Sequence, residues 1–526
     1  MIGEDHTVDH TPLTVPALLA DAVRRFGERT YVVTPGGTPD TRLTYADAEA
    51  QSADKARWLL ANGAGKGTRV GLFFANDTEW VTWWLAVSRI GALAVPLSTL
   101  YRPAEIAKVL RLADVALLVA PNRVLDIDVA QRLEAALPGL EGHRTPHLQI
   151  AAAPYLRSIA ITGHSDAPWA TAVDGAQTVS SDILLAAQEQ VFPGDLAIMV
   201  HTSGSTADPK GVLHTHGTLV RQTSTWPAAI RAVTGSPADP VILSAMPFFW
   251  IGGVLAAMGA LHEPITLLVM PRLDAATALD LVEAERATGI VGWPAFTQRM
   301  REHPSFSRRD LSSVPMLRSG PLDIAMTDVP DGFPVHRTMT ETAGGFAYTE
   351  MKIVDADGAP VDDGTVGELW VRGVGVMAGY NKRERSDTFD GDGWYHTGDR
   401  VYRSAGDPRL FYVGRTTELI KTSGANVSPL EVEAVIESFD EVAQCVVVGI
   451  DHVERGEEVC AVLVPSGDTV DTATLAERTR ELLSPFKVPT RWITVESARI
   501  PTLPSGKLNR KALREWVISS PAAGVR

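Results

Sequence analysis

The chain has 526 residues, more than one compact core usually holds, so at least two folding units are expected. Its 45% hydrophobic and 21% charged residues exclude wholesale disorder. Lys plus Arg total 48 against 63 Asp plus Glu, and the formal charge of -15 repels a phosphate backbone and argues against nucleic acid as a partner.

The opening MIGEDHTVDH has neither the basic nor the apolar region of a secretory signal, so a cytoplasmic location is expected. Thr44 begins a helical run that ends at Gly63, RVGLFF (69–74) reads as a buried strand, Asn76 with Glu79 forms a capping box opening a helix toward Gly91, and ALAVPLS (92–98) is a further strand. Helices alternating with continuously apolar strands predict parallel sheets covered on both faces. LAIMV (196–200) is another such strand. IGGVLAAMGAL (251–261) ends at His262, Glu263 and Pro264, short of the roughly 20 residues that span a bilayer; it reads as core, and no integral membrane segment is expected. From about Ala356 to Tyr412, short strands separated by Gly and Asp turns predict a small antiparallel sheet or barrel. After Gly414 the pattern restarts: Ser428, Pro429 and Glu431 read as a capping box with proline at the first helical position, followed by the strands QCVVVGI and VCAVLV. Thr474 with Glu477 reads as a second box, and WITV (492–495) as a last strand. Cys445 and Cys460 lie in apolar runs and read as buried small hydrophobes, not as a disulfide or metal pair. The expected fold is α/β: a large N-terminal domain (1–413) of doubly wound αβ subdomains with a β-rich subdomain at about 356–412, then a small α+β C-terminal domain (414–526).

The chemistry concentrates where LAIMV runs into HTSGSTADPKG (201–211). Small residues let backbone N–H groups approach an anion, Thr202, Ser203, Ser205 and Thr206 add donors around Gly204, and Lys210 supplies a mobile positive charge. The segment is a phosphate cradle, yet not a Walker A loop, because proline precedes the lysine and glycine follows it. The alternative, a plain polar turn, leaves that many donors and Lys210 unexplained. Asp399 is an acceptor-only carboxylate at the end of a strand-turn segment, where a turn or capping role is the ordinary alternative. Thr340 with Glu341 could alternatively be an N-cap pair beginning a helix, and Lys507 in PSGKL sits on a turn able to carry its cation into a site built elsewhere, or into solvent.

HTSGSTADPKG resembles the phosphate loop of the adenylate-forming superfamily, which includes acyl-CoA synthetases, peptide-synthetase adenylation domains and firefly luciferase. Four further matches follow in the family's order: MTETAGG (339–345), GELWVRGVGVMAGYN (367–381) leading to GWYHTGD (393–399), GRTTELIKTSGANVSPLEVE (414–433) and PTLPSGKLNRKALRE (501–515). The resemblance covers the whole chain. It implies that Lys507 is the adenylation lysine, that Thr340 lies near the α-phosphate with Glu341 holding magnesium, that Asp399 binds the ribose hydroxyls, and that Arg415 lies beside the nucleotide. It also implies a mobile C-terminal domain that turns about a hinge near Thr417, bringing Lys421, Ser423 and Gly424 to the site for the thiol step. Arg337 stands where the family commonly has an aromatic residue, and arginine too can stack on a base. Ala207 replaces a usual glycine, LRSGPLD (317–323) is a shortened counterpart of another family segment, and Trp250 in PFFWIGG replaces a common histidine. The acyl pocket is expected from Trp250, Gly252, Trp293, Ala343 and Gly344, small or aromatic residues that suit an apolar acid. The implied activity is ATP-dependent formation of an acyl-adenylate from a small carboxylic acid, then of a thioester with coenzyme A. The alternatives are an acyl-adenylate ligase loading a carrier protein and a non-catalytic nucleotide-binding relative.

Overall fold

The computed structural model describes residues 12–36, 40–173, 178–202, 208–234, 239–319, 349–406, 410–415, 419–467, 469–501 and 508–519. Two large sheets form its N-terminal part. The first has eight strands in the order Gly379–Tyr380, Lys210–Thr215, Leu196–Thr202, Leu93–Pro96, Arg69–Leu72, Leu117–Pro121, Ser158–Thr162 and Ala170–Ala172. It is parallel except at the Gly379–Tyr380 edge, where the first three strands pair antiparallel. The second has five, in the order Gly289–Val291, Val241–Ser244, Thr266–Val269, Thr30–Thr34 and Thr41–Thr44, parallel except for the last pair.

The helix Thr78–Arg89 is apolar around most of its circumference because it lies between these sheets, and every residue from Trp80 to Arg89 is buried. Its tryptophans share one core with Leu72, Ala94 and Ile198 of the first sheet and Ile242 and Leu267 of the second. Trp80 stacks on Phe248 at 4.7 Å, and Trp83 meets Trp58 edge-on at 5.8 Å. The outer face of each sheet closes under its own cluster, giving the doubly wound layers that continuous apolar strands predict.

A four-stranded antiparallel sheet follows, built from Glu350–Val354, Gly367–Arg372, Tyr395–Arg403 and Leu410–Arg415. It starts earlier than the expected residue 356. The C-terminal part is a mixed sheet around the long hairpin Val442–His452 and Gly456–Pro465, with Arg491–Thr494 added in parallel and the short hairpin Ile420–Thr422, Ala425–Val427 at one side. One face packs Val447, Ala461 and Leu463 under residues of the helices Pro429–Ile436 and Thr472–Leu482. The other packs Val446, Val448 and Val462 under the helix Arg510–Ser519. Both cysteines are free and buried, and burial pushes the Cys460 thiol up to about 12. No described helix is long and apolar enough to cross a membrane.

The capping expectations divide. Thr44 caps Tyr45–Ala61 in a true box with Asp47. Asn76 caps nothing; the cap of Thr78–Arg89 is Asp77, whose side chain accepts from Trp80 N at 2.9 Å, and Asn76 is buried in other contacts. Ser428 and Pro429 occupy their expected places at the start of Pro429–Ile436, but Ser428 makes no side-chain cap bond and Glu431 is bound to Lys487 instead. Asp471, not Thr474, caps Thr472–Leu482, and the Thr474 hydroxyl donates to it at 2.6 Å.

Candidate active site

The C-terminal edges of the two large sheets and one side of the C-terminal unit converge on a cavity of about 230 Å³. The first sheet contributes Val200, His201 and Thr202 at the end of one strand and Ser98 after the next. The second contributes Met246, Trp250 and Gly252, and the C-terminal unit contributes Gly424, Asn426 and Phe486.

Sheet order explains how two distant tryptophans meet. Val241–Ser244 and Gly289–Val291 are neighbouring parallel strands with Ser244 opposite Val291. Each is followed by a helix whose N-cap is a tryptophan, Trp250 for Ile251–Gly259 and Trp293 for Pro294–Glu302. Their rings therefore stand edge to face, 5.4 Å apart. Trp250 also meets Phe486 of the C-terminal unit edge-on at 6.3 Å. Asn76 fixes the segment that leads to Trp250: its amide donates to Met246 O at 3.1 Å and its oxygen accepts from Phe248 N at 2.8 Å. Asn76→Ala would leave two buried backbone groups unpaired, at about 1–3 kcal/mol each. We expect a lower urea midpoint for the N-terminal unit, measured by tryptophan fluorescence, together with weaker acid binding.

Thr202 and Lys210 are direct partners across the antiparallel pair of strands Leu196–Thr202 and Lys210–Thr215, which brings these two residues of the phosphate-loop segment side by side. Residues 203–207, hence Ser203, Gly204, Ser205 and Thr206, lie outside the described residues. The Lys210 ammonium sits 5.2 Å from the Tyr380 ring centroid, and burial, followed by the charge of Arg383, lowers its pKa. Asp399 and Arg415 are likewise opposite each other, in the strands Tyr395–Arg403 and Leu410–Arg415. Asp399 N donates to Thr397 Oγ1 at 3.0 Å. Neither Lys210 nor Asp399 lines the cavity. Arg337, Thr340, Glu341, Ala343, Gly344, Thr417 and Lys507 lie outside the described residues.

Of the KTSG segment, Gly424 alone lines the cavity. Thr422 pairs with Ala425, leaving Ser423 and Gly424 as a two-residue turn with φ of 51° and 82°. Positive φ at both centres is the signature of the primed turns that match strand twist. Gly424 is pressed against Trp293: a β-carbon on it would stand 2.0 Å from the indole Nε1. Only glycine fits that contact. Ser423 N donates to Arg455 O at 2.8 Å, and the Lys421 ammonium binds the Tyr412 hydroxyl at 2.9 Å without lining the cavity. Leu508, the neighbour of Lys507, packs with the cluster on the other face of the C-terminal sheet from Phe486.

Sequence reasoning missed His201, Met246 and Phe486 on the cavity wall. His201 is buried, burial pushes its pKa down to about 4, and its Nδ1 has no partner among the described residues, so the ring is neutral. Its place immediately before Thr202 was the available signal; Phe486 carried none.

Residues 19–327 and 324–381 match the family described as AMP-binding enzyme, and residues 431–507 match AMP-binding enzyme C-terminal domain. The chain is 28% identical to a probable CoA ligase of Humulus lupulus, across 96% of this chain and 97% of that protein. It is 29% identical to a feruloyl-CoA synthase of Amycolatopsis sp, across 90% of this chain and 94% of that protein. Among solved structures, an amide bond synthetase from Marinactinospora thermotolerans matches the fold with a TM-score of 0.74 at 24% identity, covering 96% of this chain and 99% of that one.

Proposed function

The chain belongs to the AMP-binding enzyme family, and from that premise we propose how it acts as an AMP-forming acid–CoA ligase. A carboxylate oxygen attacks the α-phosphorus of ATP, the bond to the bridging oxygen of the β-phosphate breaks, and pyrophosphate leaves with that electron pair. The thiol sulfur of coenzyme A then attacks the acyl carbon, the acyl C–O bond breaks, and AMP leaves as the thioester forms; the thiol proton passes to solvent.

In this reading Lys507 holds the two negatively charged reactants of the first step together, while Lys210 and the donors of 202–206 bind the phosphates. Asp399 and Arg415 hold the ribose and its neighbouring phosphate, and the direct pairing of their strands supports a shared role. Arg337 stacks on adenine. Magnesium would offset the charge of the phosphates, and Glu341 is the proposed carboxylate that would hold it. The division near residue 414 separates the large adenylation unit from a unit that presents two faces in turn.

The observation that carries the reading is the seating of Gly424 on Trp293, with Gly424 itself in the cavity wall that also holds the end of the phosphate-loop strand. It brings together residues assigned separately to the acid, the phosphates and the thiol step. Trp250, Met246, Val200 and Phe486 give the cavity an apolar side that supports an apolar acid, while Glu105, Lys108, Glu431 and Lys487 line it where the two units meet. A panel of aryl-propenoic, benzoic, alicyclic and medium-chain acids, read by pyrophosphate release with and without coenzyme A, tests it. Release with one apolar class, and AMP plus thioester only with the thiol present, is expected. Acid-independent turnover, or preference for short dicarboxylates, would refute the pocket assignment.

A further inference from the structure

Across the interface between the large unit and the C-terminal unit lies a buried charge cluster. Glu105, on the helix Pro103–Leu112, is 7% exposed; Glu431 and Lys487 of the C-terminal unit are each 6% exposed. The Lys487 ammonium donates to Glu105 Oε1 and to Glu431 Oε1, both at 2.7 Å. The Ser484 hydroxyl donates to Glu105 Oε2 at 2.7 Å, and the same oxygen accepts from Arg102 N at 2.9 Å, capping its own helix. One carboxylate of the large unit is thus satisfied by its own helix and by two donors of the other unit.

Burial alone would depress the Lys487 ammonium, but the Glu431 and Glu105 carboxylates outweigh it and its pKa is raised. Burial also raises Glu431, against the pull of Lys487. A pair desolvated this far is costly to break on one side only, because the remaining charge stays buried without its partner. Rotation of the whole unit avoids that cost: Lys487 keeps Glu431, which travels with it, and Glu105 is returned to water. The inter-unit half of the cluster can therefore be made and unmade without leaving Lys487 unpaired.

Phe486 is the residue before Lys487, and it packs on Trp250, whose ring touches Trp293 beneath Gly424. The charge cluster and the turn are two ends of one docked surface. Resting on the ligase reading above, we propose that Glu105, Ser484 and Lys487 are positioning residues for the thiol step: they hold the C-terminal unit where the Ser423–Gly424 turn covers Trp293, and their separation frees that unit for adenylate formation.

Glu105→Gln is the cleanest test, since glutamine keeps the helix-capping acceptor and leaves the Lys487–Glu431 pair intact while removing the inter-unit charge. It is compared with Lys487→Met, Lys487→Arg and the double variant Glu105→Gln/Lys487→Met in two assays. One is acid-dependent pyrophosphate exchange; the other is single-turnover thioester formation from supplied acyl-adenylate. In parallel, spin labels on cysteines replacing the exposed Arg144 and Val453 report the distance between the units in each background.

Glu105→Gln and Lys487→Met should retain or raise exchange, lower thioester formation about tenfold or more, and shift the label distances away from the docked value, given the weight of a broken buried pair. Lys487→Arg should recover part of the thioester rate, and the double variant should be no worse than the more severe single one. Equal loss in both assays, or unchanged thioester formation, overturns the proposal. If the unmodified protein makes neither adenylate nor thioester, the ligase reading fails, and the label distances still decide the docking claim: no shift in Glu105→Gln overturns it.

Discussion

Lys507→Ala is expected to lower acid-dependent exchange of pyrophosphate into ATP by about 10²–10³-fold, while thioester formation from supplied acyl-adenylate and coenzyme A stays close to the unmodified rate. The first step brings a carboxylate against a triphosphate, and both are anions. A cation placed between them lowers the barrier twice, by holding the reactants in reach and by stabilising charge as the phosphorus changes partners. The selectivity of the loss for the first step is what the proposed mechanism requires of Lys507. Gly424 and Phe486 line the cavity, whereas Leu508 packs on the opposite face of the C-terminal sheet. In the proposed mechanism the C-terminal unit serves the first step with Lys507 and turns before it serves the second with the 423–424 turn. Assaying the half-reactions separately checks this: parallel loss in both would place Lys507 in general folding or binding instead.

Gly424→Val should produce the reverse pattern, a thioester step slowed by about 10²-fold, the scale of an ångström-level misplacement of reacting groups, with exchange retained. Two independent restrictions act at this position. Its φ of 82° lies in the left-handed region that β-branched residues avoid, and an added β-carbon would sit 2.0 Å from the Trp293 indole. The turn cannot seat unless Trp293 moves, and Trp293 is braced by Trp250. Quenched-flow measurement of thioester formation from acyl-adenylate, beside exchange, checks it; an unimpaired thioester step would show that the seated turn has no part in thiol transfer.

What the sequence made legible was whatever short segments decide for themselves. The strands LAIMV and WITV appear where their apolar runs lie, and the Thr44 box forms because its partner Asp47 is three residues away. The Asn76 box failed because the amide of Asn76 is taken by Met246 O and Phe248 N, 170 and 172 residues downstream, and local spacing carries no trace of that competition. Glu431 failed as a capping residue for the same reason, its carboxylate being drawn to Lys487.

The site divides along the same line. The five motifs were visible because each is a run of contiguous residues. That Trp250 and Trp293 touch depends on strand order, and that Glu105 meets Lys487 depends on the docking of two units across 382 residues of separation. Lys487 reads in the sequence as one more surface lysine, and only the surrounding carboxylates distinguish it.

The acyl-adenylate intermediate is tested most directly by the fate of oxygen. With an acid carrying ¹⁸O in both carboxylate oxygens, ATP and coenzyme A, mass spectrometry of the products should find one ¹⁸O in the phosphate of AMP and none in pyrophosphate, because the attacking oxygen stays on phosphorus when sulfur displaces it from the acyl carbon. Label-free AMP, or label in inorganic phosphate released alongside ADP, would contradict activation through an acyl-adenylate.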